Sequence, residues 1–293
     1  MLARGIVAGA AALGALIGGF LLMMGPSLSG AAGSRDEPVP MGESRPASLT
    51  VDVPPPITDH IYAAPGTAGR PIVVIDAGHG GRDPGATSVS GEVTEKQLTL
   101  TLARELRDAL VKRGRVRVAM TREDDRYVDL EARAAVARRV GASLFVSLHT
   151  DSAPNPLARG ATVYSLSDIA SDAEAARFAE AENRGFGADS ATGSPVAAML
   201  ADLAARSEMA ASADFAARVI GKSTGRFGLR PTPHRFAAFH VLRRAEAAAV
   251  LFEAGYISNV DDELLLRSPE HRHAIVAALA QAIEADVAAR LRH

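Results

Sequence analysis

The chain has 293 residues, of which 47% are hydrophobic and 23% are charged, and its formal net charge is −2. This is the composition of a globular protein of one or two domains, and near-neutrality without a basic cluster argues against nucleic acid as a partner. Because the chain contains no cysteine, a disulfide framework, a thiolate metal site and a cysteine nucleophile are all excluded.

Residues 1–32 have the pattern of an export segment. No charged residue follows Arg4 until after residue 25, and a proline and a run of small residues with a cleavage zone near residues 31–32 come next. The alternative is an uncleaved membrane anchor, since about 20 apolar residues can span a bilayer, although the many glycines and alanines favour cleavage. Both interpretations predict an exported protein, and contact with the membrane is expected only if the segment is retained.

Residues 33–70 are rich in proline, glycine and serine, with three consecutive prolines at 54–56. This segment has too little apolar periodicity to pack, so it is predicted to be a linker.

Strand and helix patterns alternate through residues 71–293. They predict one α/β domain with a mixed, mostly parallel sheet of five or six strands and helices on both faces.

The domain opens with an apolar β-branched run at residues 72–75, which is typical of a buried strand. Glycines then turn the chain and leave His79 at the carboxyl end of that strand, where open α/β sheets hold their chemistry. Thr94 and Gln97 form a capping box, so Glu95 is expected in the first turn of a helix. An imidazole and a carboxylate suit Zn²⁺; alternatively, His79 binds a carbonyl and Glu95 only complements the helix dipole.

Later strands deliver three more candidate residues. A buried strand at residues 143–148 ends just before His149, which can meet His79 if the two strands are neighbours. An apolar run at residues 247–252 ends at Glu253, and a carboxylate in that position is unfavourable unless it is paired or functional. Arg122 follows an alternating strand and can bind a substrate carboxylate or form a structural ion pair. A further strand is predicted at residues 237–242.

Three segments resemble the motifs of a known family. They read Asp-Ala-Gly-His-Gly-Gly-Arg-Asp-Pro-Gly-Ala at 76–86, Ser-Leu-His-Thr-Asp at 147–151 and Leu-Phe-Glu-Ala-Gly-Tyr-Ile-Ser-Asn at 251–259. They are similar to motifs of the zinc-dependent N-acetylmuramoyl-L-alanine amidases, in particular the periplasmic, division-type enzymes that cut peptidoglycan between glycan and stem peptide. The resemblance implies one Zn²⁺ per chain bound by His79, Glu95 and His149, with Glu253 as the general base.

Residues 167–235 separate the last motif from the others and are predicted to be a helical insertion. Taken by itself, the alanine-rich pattern predicts a helical layer over one face of the sheet. The resemblance implies regulation, because division-type amidases carry here a helix that blocks the zinc with a glutamate until an activator protein, expected to be of the degenerate LytM type, removes it. Glu182 is the candidate blocking ligand, and Glu174 is the second choice.

The function implied by the resemblance is hydrolysis of the amide between N-acetylmuramic acid and L-alanine in peptidoglycan, in wall remodelling and daughter-cell separation. Two alternatives stay open: a zinc peptidase that cuts within the stem peptide, and a protein that binds peptidoglycan without cutting it. The presence of all three predicted ligands and the predicted base favours an enzyme over the inert binder.

Overall fold

The computed structural model describes residues 59–184 and 195–291. The predicted export segment, 1–32, and residues 33–58 of the predicted linker lie outside this range. The strands are β1 (Ile61–Tyr62), β2 (Ile72–Ala77), β3 (Arg117–Met120), β4 (Leu144–His149), β5 (Ala161–Leu166), β6 (Leu229–Ala237) and β7 (Ala248–Glu253). The helices are α1 (Glu95–Arg113), α2 (Leu130–Val140), α3 (Ala173–Glu182), α4 (Pro195–Ser223), α5 (His240–Arg244), α6 (Val260–Arg267) and α7 (Pro269–Arg290).

The strands form one sheet in the order β1-β3-β2-β4-β7-β5-β6. Four neighbouring pairs are parallel, and the pairs β1–β3 and β5–β7 are antiparallel. The prediction of a mixed, mostly parallel sheet is therefore confirmed, with seven strands rather than five or six.

Two of the differences lie at the edges of the sheet. Strand β1 falls inside the predicted linker, so the ordered domain begins before residue 71. The strand predicted at residues 237–242 is wrong, because the edge strand β6 ends at Ala237 and α5 follows it. Strand β6 contains two prolines and two arginines. An edge strand tolerates these residues, but they interrupt the alternation of apolar and polar residues that predicts a strand.

Apolar side chains from the helices cover both faces of the sheet. On one face, α1, α4 and α7 pack against the strands through buried side chains that include Leu106, Phe215 and Ile283. On the other face, α2, α3 and α5 contribute a second cluster, in which Tyr164 of β5 is buried. No helix within 59–184 and 195–291 has the length and apolar character needed to cross a membrane.

Helix α1 begins as the sequence predicts. The Thr94 backbone N–H donates to Oε1 of Gln97 at 2.9 Å, which is half of the predicted capping box. The helix ends at Gly114, whose φ of 64° gives the left-handed C-cap that glycine adopts without strain. This fixed start places Glu95 at the amino end of α1, beside the carboxyl edge of the sheet.

Candidate active site

Three adjacent strands, β2, β4 and β7, bring the main candidate residues together. His149 and Glu253 are the last residues of β4 and β7 and are register partners in the parallel pair. Strand β2 lies on the other side of β4, and His79 follows it by two residues. The ends of three neighbouring parallel strands therefore hold two histidines and a glutamate at one edge of the sheet.

His79 lies in a strained backbone conformation, with a φ of 61°. Arg133 of α2 supports it by donating to the His79 carbonyl at 2.6 Å and the Ala77 carbonyl at 2.7 Å. The same guanidinium forms a buried ion pair with Asp76 at 2.8 Å. These contacts stabilise a conformation that is unfavourable for a side chain with a Cβ atom and fix the position of the imidazole.

Glu95 lies between the two histidines. Its Oε2 is 3.1 Å from Nε2 of His79, and its Oε1 is 3.0 Å from Nδ1 of His149. The backbone N–H groups of Ala86 and Thr150 donate to the same carboxylate at 2.9 and 3.0 Å. Because four groups hold this 1% exposed side chain, its two oxygens are fixed beside the imidazoles.

Asp83 is a functional candidate that the sequence analysis missed. Its Oδ2 lies 2.9 Å from Nδ1 of His79, on the side of the ring opposite Glu95. A carboxylate on the second ring nitrogen fixes the tautomer and orientation of a metal-binding histidine. The only signal in the sequence is an aspartate four residues after His79 in a glycine-rich turn.

The residues present fit a divalent metal. One ligand atom each from His79, His149 and Glu182 lies within 4.8 Å of the others. Nε2 of His79 is buried and makes no hydrogen bond, although Glu95 lies close to it. Two imidazole nitrogens and carboxylate oxygens around one point form the mixed N/O set that Zn²⁺ accepts.

The electrostatics of the cluster agree with a cation site. Burial opposes protonation of His79, but Glu95 and Asp83 outweigh it and raise the pKa of His79 to about 11. Burial likewise opposes ionisation of Glu95, yet the two histidines hold the pKa of this carboxyl well below its usual range. The site therefore favours positive charge between its carboxylates.

Glu253 has the environment of a proton-transfer group. It is 1% exposed, and its Oε2 accepts a hydrogen bond from the Asp151 backbone N–H at 2.9 Å. Its Oε1 is buried without a hydrogen-bond partner. Burial first, and then the negative charge of Asp151, raise the pKa of Glu253 well above its usual range, as expected of a carboxyl that exchanges protons near neutral pH.

Helix α3 brings Glu182 to this edge. Oε2 of Glu182 lies 3.7 Å from Nδ1 of His149. The next residue, Asn183, anchors the helix end, since its side chain donates to the Ala238 carbonyl at 2.7 Å and accepts from the His240 N–H at 2.8 Å. The end of α3 thus places a carboxylate close to both histidines.

Helix α3 also divides the open space above the sheet edge. A cavity on one side is lined by His79, His149 and Glu182, and a second cavity on the other side is lined by Glu253. Ala181 lines both cavities. With α3 in this position, the histidines and Glu253 face separate spaces.

Two other candidate residues, Arg122 and Glu174, make contacts that stabilise the fold. Arg122 is 1% exposed, and its guanidinium donates to the carbonyls of Ala77, Gly78 and Lys96 at 2.8–2.9 Å. This placement argues against contact with substrate and instead ties the His79 turn to α1. Glu174 pairs with two arginines of β6, so it is not in the metal-binding cluster.

The family model for N-acetylmuramoyl-L-alanine amidase matches residues 73–285. The amidase AmiA of Escherichia coli K12 is 33% identical over 225 residues, which cover 74% of this chain and 76% of AmiA. AmiC of Neisseria meningitidis serogroup B is 34% identical over 221 residues, but the chain spans only 52% of that protein.

A solved structure of an amidase is also similar to this chain. The catalytic domain of CwlV, an N-acetylmuramoyl-L-alanine amidase from Bacillus (Paenibacillus) polymyxa var. colistinus, superposes with a TM-score of 0.53 at 26% identity. The match covers 73% of this chain and 96% of that domain. Together with the site geometry, these matches show that the chain belongs to the N-acetylmuramoyl-L-alanine amidase family.

Proposed function

We propose that this protein is an exported, zinc-dependent amidase that hydrolyses the bond between N-acetylmuramic acid and L-alanine in peptidoglycan, and that α3 inhibits it. The observation that carries the proposal is the convergence of His79, Glu95 and His149, with Glu253 in register beside His149. Export to the periplasm is inferred from the apolar pattern of residues 1–32.

In the proposed site, His79, Glu95 and His149 would hold the zinc ion. When bound, zinc supplies a Lewis acid for the substrate carbonyl and lowers the pKa of water to about 7. Asp83 keeps the His79 ring in the ligating orientation through Nδ1. Three protein ligands are the number that catalytic zinc sites use.

Glu253 acts as the general base and then as the general acid. Its unpartnered Oε1 accepts a proton from the attacking water and returns it to the amine of L-alanine as the C–N bond breaks. An amine leaves poorly unless it is protonated, so this transfer is expected to contribute about 10²–10⁴-fold to the rate. The raised pKa of Glu253 makes the return of the proton easier.

Inhibition is proposed to come from Glu182 and from the position of α3. Glu182 lies 3.7 Å from His149, where its carboxylate can occupy the position that the substrate carbonyl needs. Helix α3 also separates the histidines from Glu253. An activator protein that displaces α3 would remove both obstacles; from the resemblance to division-type amidases we propose one of the degenerate LytM type.

The test is digestion of purified peptidoglycan by the full chain and by Glu253→Gln, with zinc or with a chelator, and identification of the products by mass. We expect zinc-dependent release of intact stem peptides with a free L-alanine amino group from the wild-type protein only. Fragments of stem peptides would indicate a peptidase instead. If no stem peptide is released by any variant, including the Glu182→Ala variant described next, the protein binds peptidoglycan without cutting it.

Inhibition is tested by Glu182→Ala, with Glu180→Ala as the matched control on the exposed side of α3. We expect hydrolysis without an activator to rise in Glu182→Ala and to stay at the wild-type level in Glu180→Ala. Equal rates in the two variants would remove Glu182 from the inhibitory role.

A further inference from the structure

The start of α3 is held by a carboxylate between two arginines. Oε1 of Glu174 lies 2.7 Å from Nη1 of Arg230, and Oε2 lies 3.2 Å from Nη2 of Arg230 and 2.9 Å from Nη1 of Arg235. Nη1 of Arg230 also donates to the Tyr256 hydroxyl at 2.7 Å. This is the forked, bidentate geometry with which arginine recognises carboxylates.

The arginine pair lies beside the catalytic edge. Glu174 and Tyr256 line the same cavity of about 180 Å³ as Glu253. Tyr256 follows Glu253 by three residues in the chain, and β6, which carries both arginines, reaches β7 through β5. A carboxylate held by the arginines is therefore on the same side of α3 as the proposed base.

Both arginines depend on α3 for their negative partners. In the described part of the chain, the carboxylates that pair with them are Glu174 and Asp172, at the start of the helix. Arg235 is 8% exposed, and its buried Nε has no hydrogen-bond partner. When α3 leaves, both guanidinium groups lose these carboxylates and are free to pair with another one.

We propose that Arg230, Arg235 and the Tyr256 hydroxyl form a subsite for a free carboxylate of the stem peptide, and that Glu174 occupies this subsite while α3 is docked. The proposal rests on the proposed role of α3 as a removable cover. The stem peptide continues beyond L-alanine with residues that carry free carboxylates, which gives the released arginines a ligand of the right charge and shape.

Two consequences follow for the enzyme. The substrate replaces the contact that holds the start of α3, so a bound peptide opposes the return of the helix. The subsite also discriminates between stem peptides with free carboxylates and those in which the carboxylates are amidated, because an amide cannot form the charged fork.

The test measures binding of product-side peptides to the full chain by calorimetry. The probe is L-alanyl-γ-D-glutamyl-L-lysine, made with only the glutamyl α-carboxylate free, with only the terminal carboxylate free, or with both as primary amides. In Glu174→Ala, which removes the carboxylate shared by the two arginines, we expect one of the free-carboxylate peptides to bind about tenfold more tightly than the diamide. The peptide that binds most tightly identifies which carboxylate the arginines bind.

Two double variants decide whether the arginines carry this preference. Adding Arg230→Gln to Glu174→Ala should abolish it, whereas adding Arg177→Gln, which removes an exposed arginine lining the same cavity, should leave it intact. Equal binding of all three peptides to Glu174→Ala, or a preference that survives Arg230→Gln, would overturn the proposal. If Glu174→Ala disorders the domain, Glu174→Ser, which also removes the carboxylate, serves the same comparison.

Failure of the subsite and failure of the proposed inhibition are distinguishable. If α3 does not inhibit, hydrolysis of peptidoglycan stays at the wild-type level in Glu174→Ala and Glu182→Ala, while the peptide preference is still measured. If the subsite is wrong, hydrolysis rises in these variants but the three peptides bind equally.

Discussion

Helices α3 and α4 come from the same insertion, yet they attach to the sheet in different ways. Helix α4 buries Phe215, Ala216 and Val219 completely. Its Ser212 hydroxyl also accepts a hydrogen bond from a backbone N–H of β7 at 2.9 Å. Helix α4 is thus part of the domain core.

Helix α3 buries only two alanines, Ala175 and Ala179. Its larger apolar side chain, Phe178, is half-buried against the rings of Tyr164 and Phe239, with centroids 5.1 and 5.5 Å away. Its other anchors are the polar contacts of Glu174 and Asn183. Since apolar burial supplies most of the docking energy of a helix, α3 is the part of the insertion that can move without unfolding the domain.

The largest expected effect tests the core half of this comparison. Phe215→Ala should lower the free energy of unfolding by about 3–5 kcal/mol, because it leaves a cavity under β7. Chemical denaturation measures this change. A loss below about 1 kcal/mol would show that α4 is not a core element.

The next effect concerns the candidate metal site that α3 covers. Asp83→Asn should weaken zinc binding about 10–100-fold, because it removes the carboxylate that orients His79. Competition with a metal chelator measures the affinity. Asp83→Asn should cause the same loss when it is added to Glu182→Ala, in which α3 no longer supplies a carboxylate. If Asp83→Asn leaves the zinc affinity unchanged in the wild-type chain or in the Glu182→Ala chain, Asp83 does not position His79.

Phe178→Ala is the counterpart of the core variant. It should weaken the docking free energy of α3 by about 1 kcal/mol, because an aromatic contact is lost. The undocked population of α3 then rises about fivefold. Hydrolysis without an activator should rise by the same factor while the global unfolding midpoint changes little. A large drop in stability without a rise in activity would place α3 in the core alongside α4.

The smallest effect is a dependence on pH. Burial raises the pKa of the Glu174 carboxyl, but Arg230 and Arg235 outweigh it and hold the pKa below its ordinary value of 4.5. A depressed pKa means that the contact stabilises docking above pH 4.5 and is lost as the pH falls through the native value.

Hydrogen exchange of α3, corrected for intrinsic rates, is therefore expected to report constant docking from mildly acidic to neutral pH and weaker docking in acid. Glu174→Gln should remove this dependence, because the side chain no longer titrates. A dependence that persists in Glu174→Gln would assign it to another group.

The sequence by itself determined the elements whose cause is local. The apolar run of β2, the capping box of α1 and the polar residues at strand ends follow from propensity and periodicity, and they located His79, Glu95, His149 and Glu253. The edge strands β1 and β6 were missed or misplaced, because their short or proline-containing sequences become strands only through pairing with a neighbour.

Only the tertiary structure decided which of these side chains meet. The order β2-β4-β7 sets the two histidines and Glu253 side by side, and no local pattern specifies that order. The burial of Arg122, the support of His79 by Arg133 and Asp83, and the pairing of Glu174 with β6 all join residues from different elements. Their roles depend on distance and burial in the folded chain, which a pattern of residue types along the sequence does not contain.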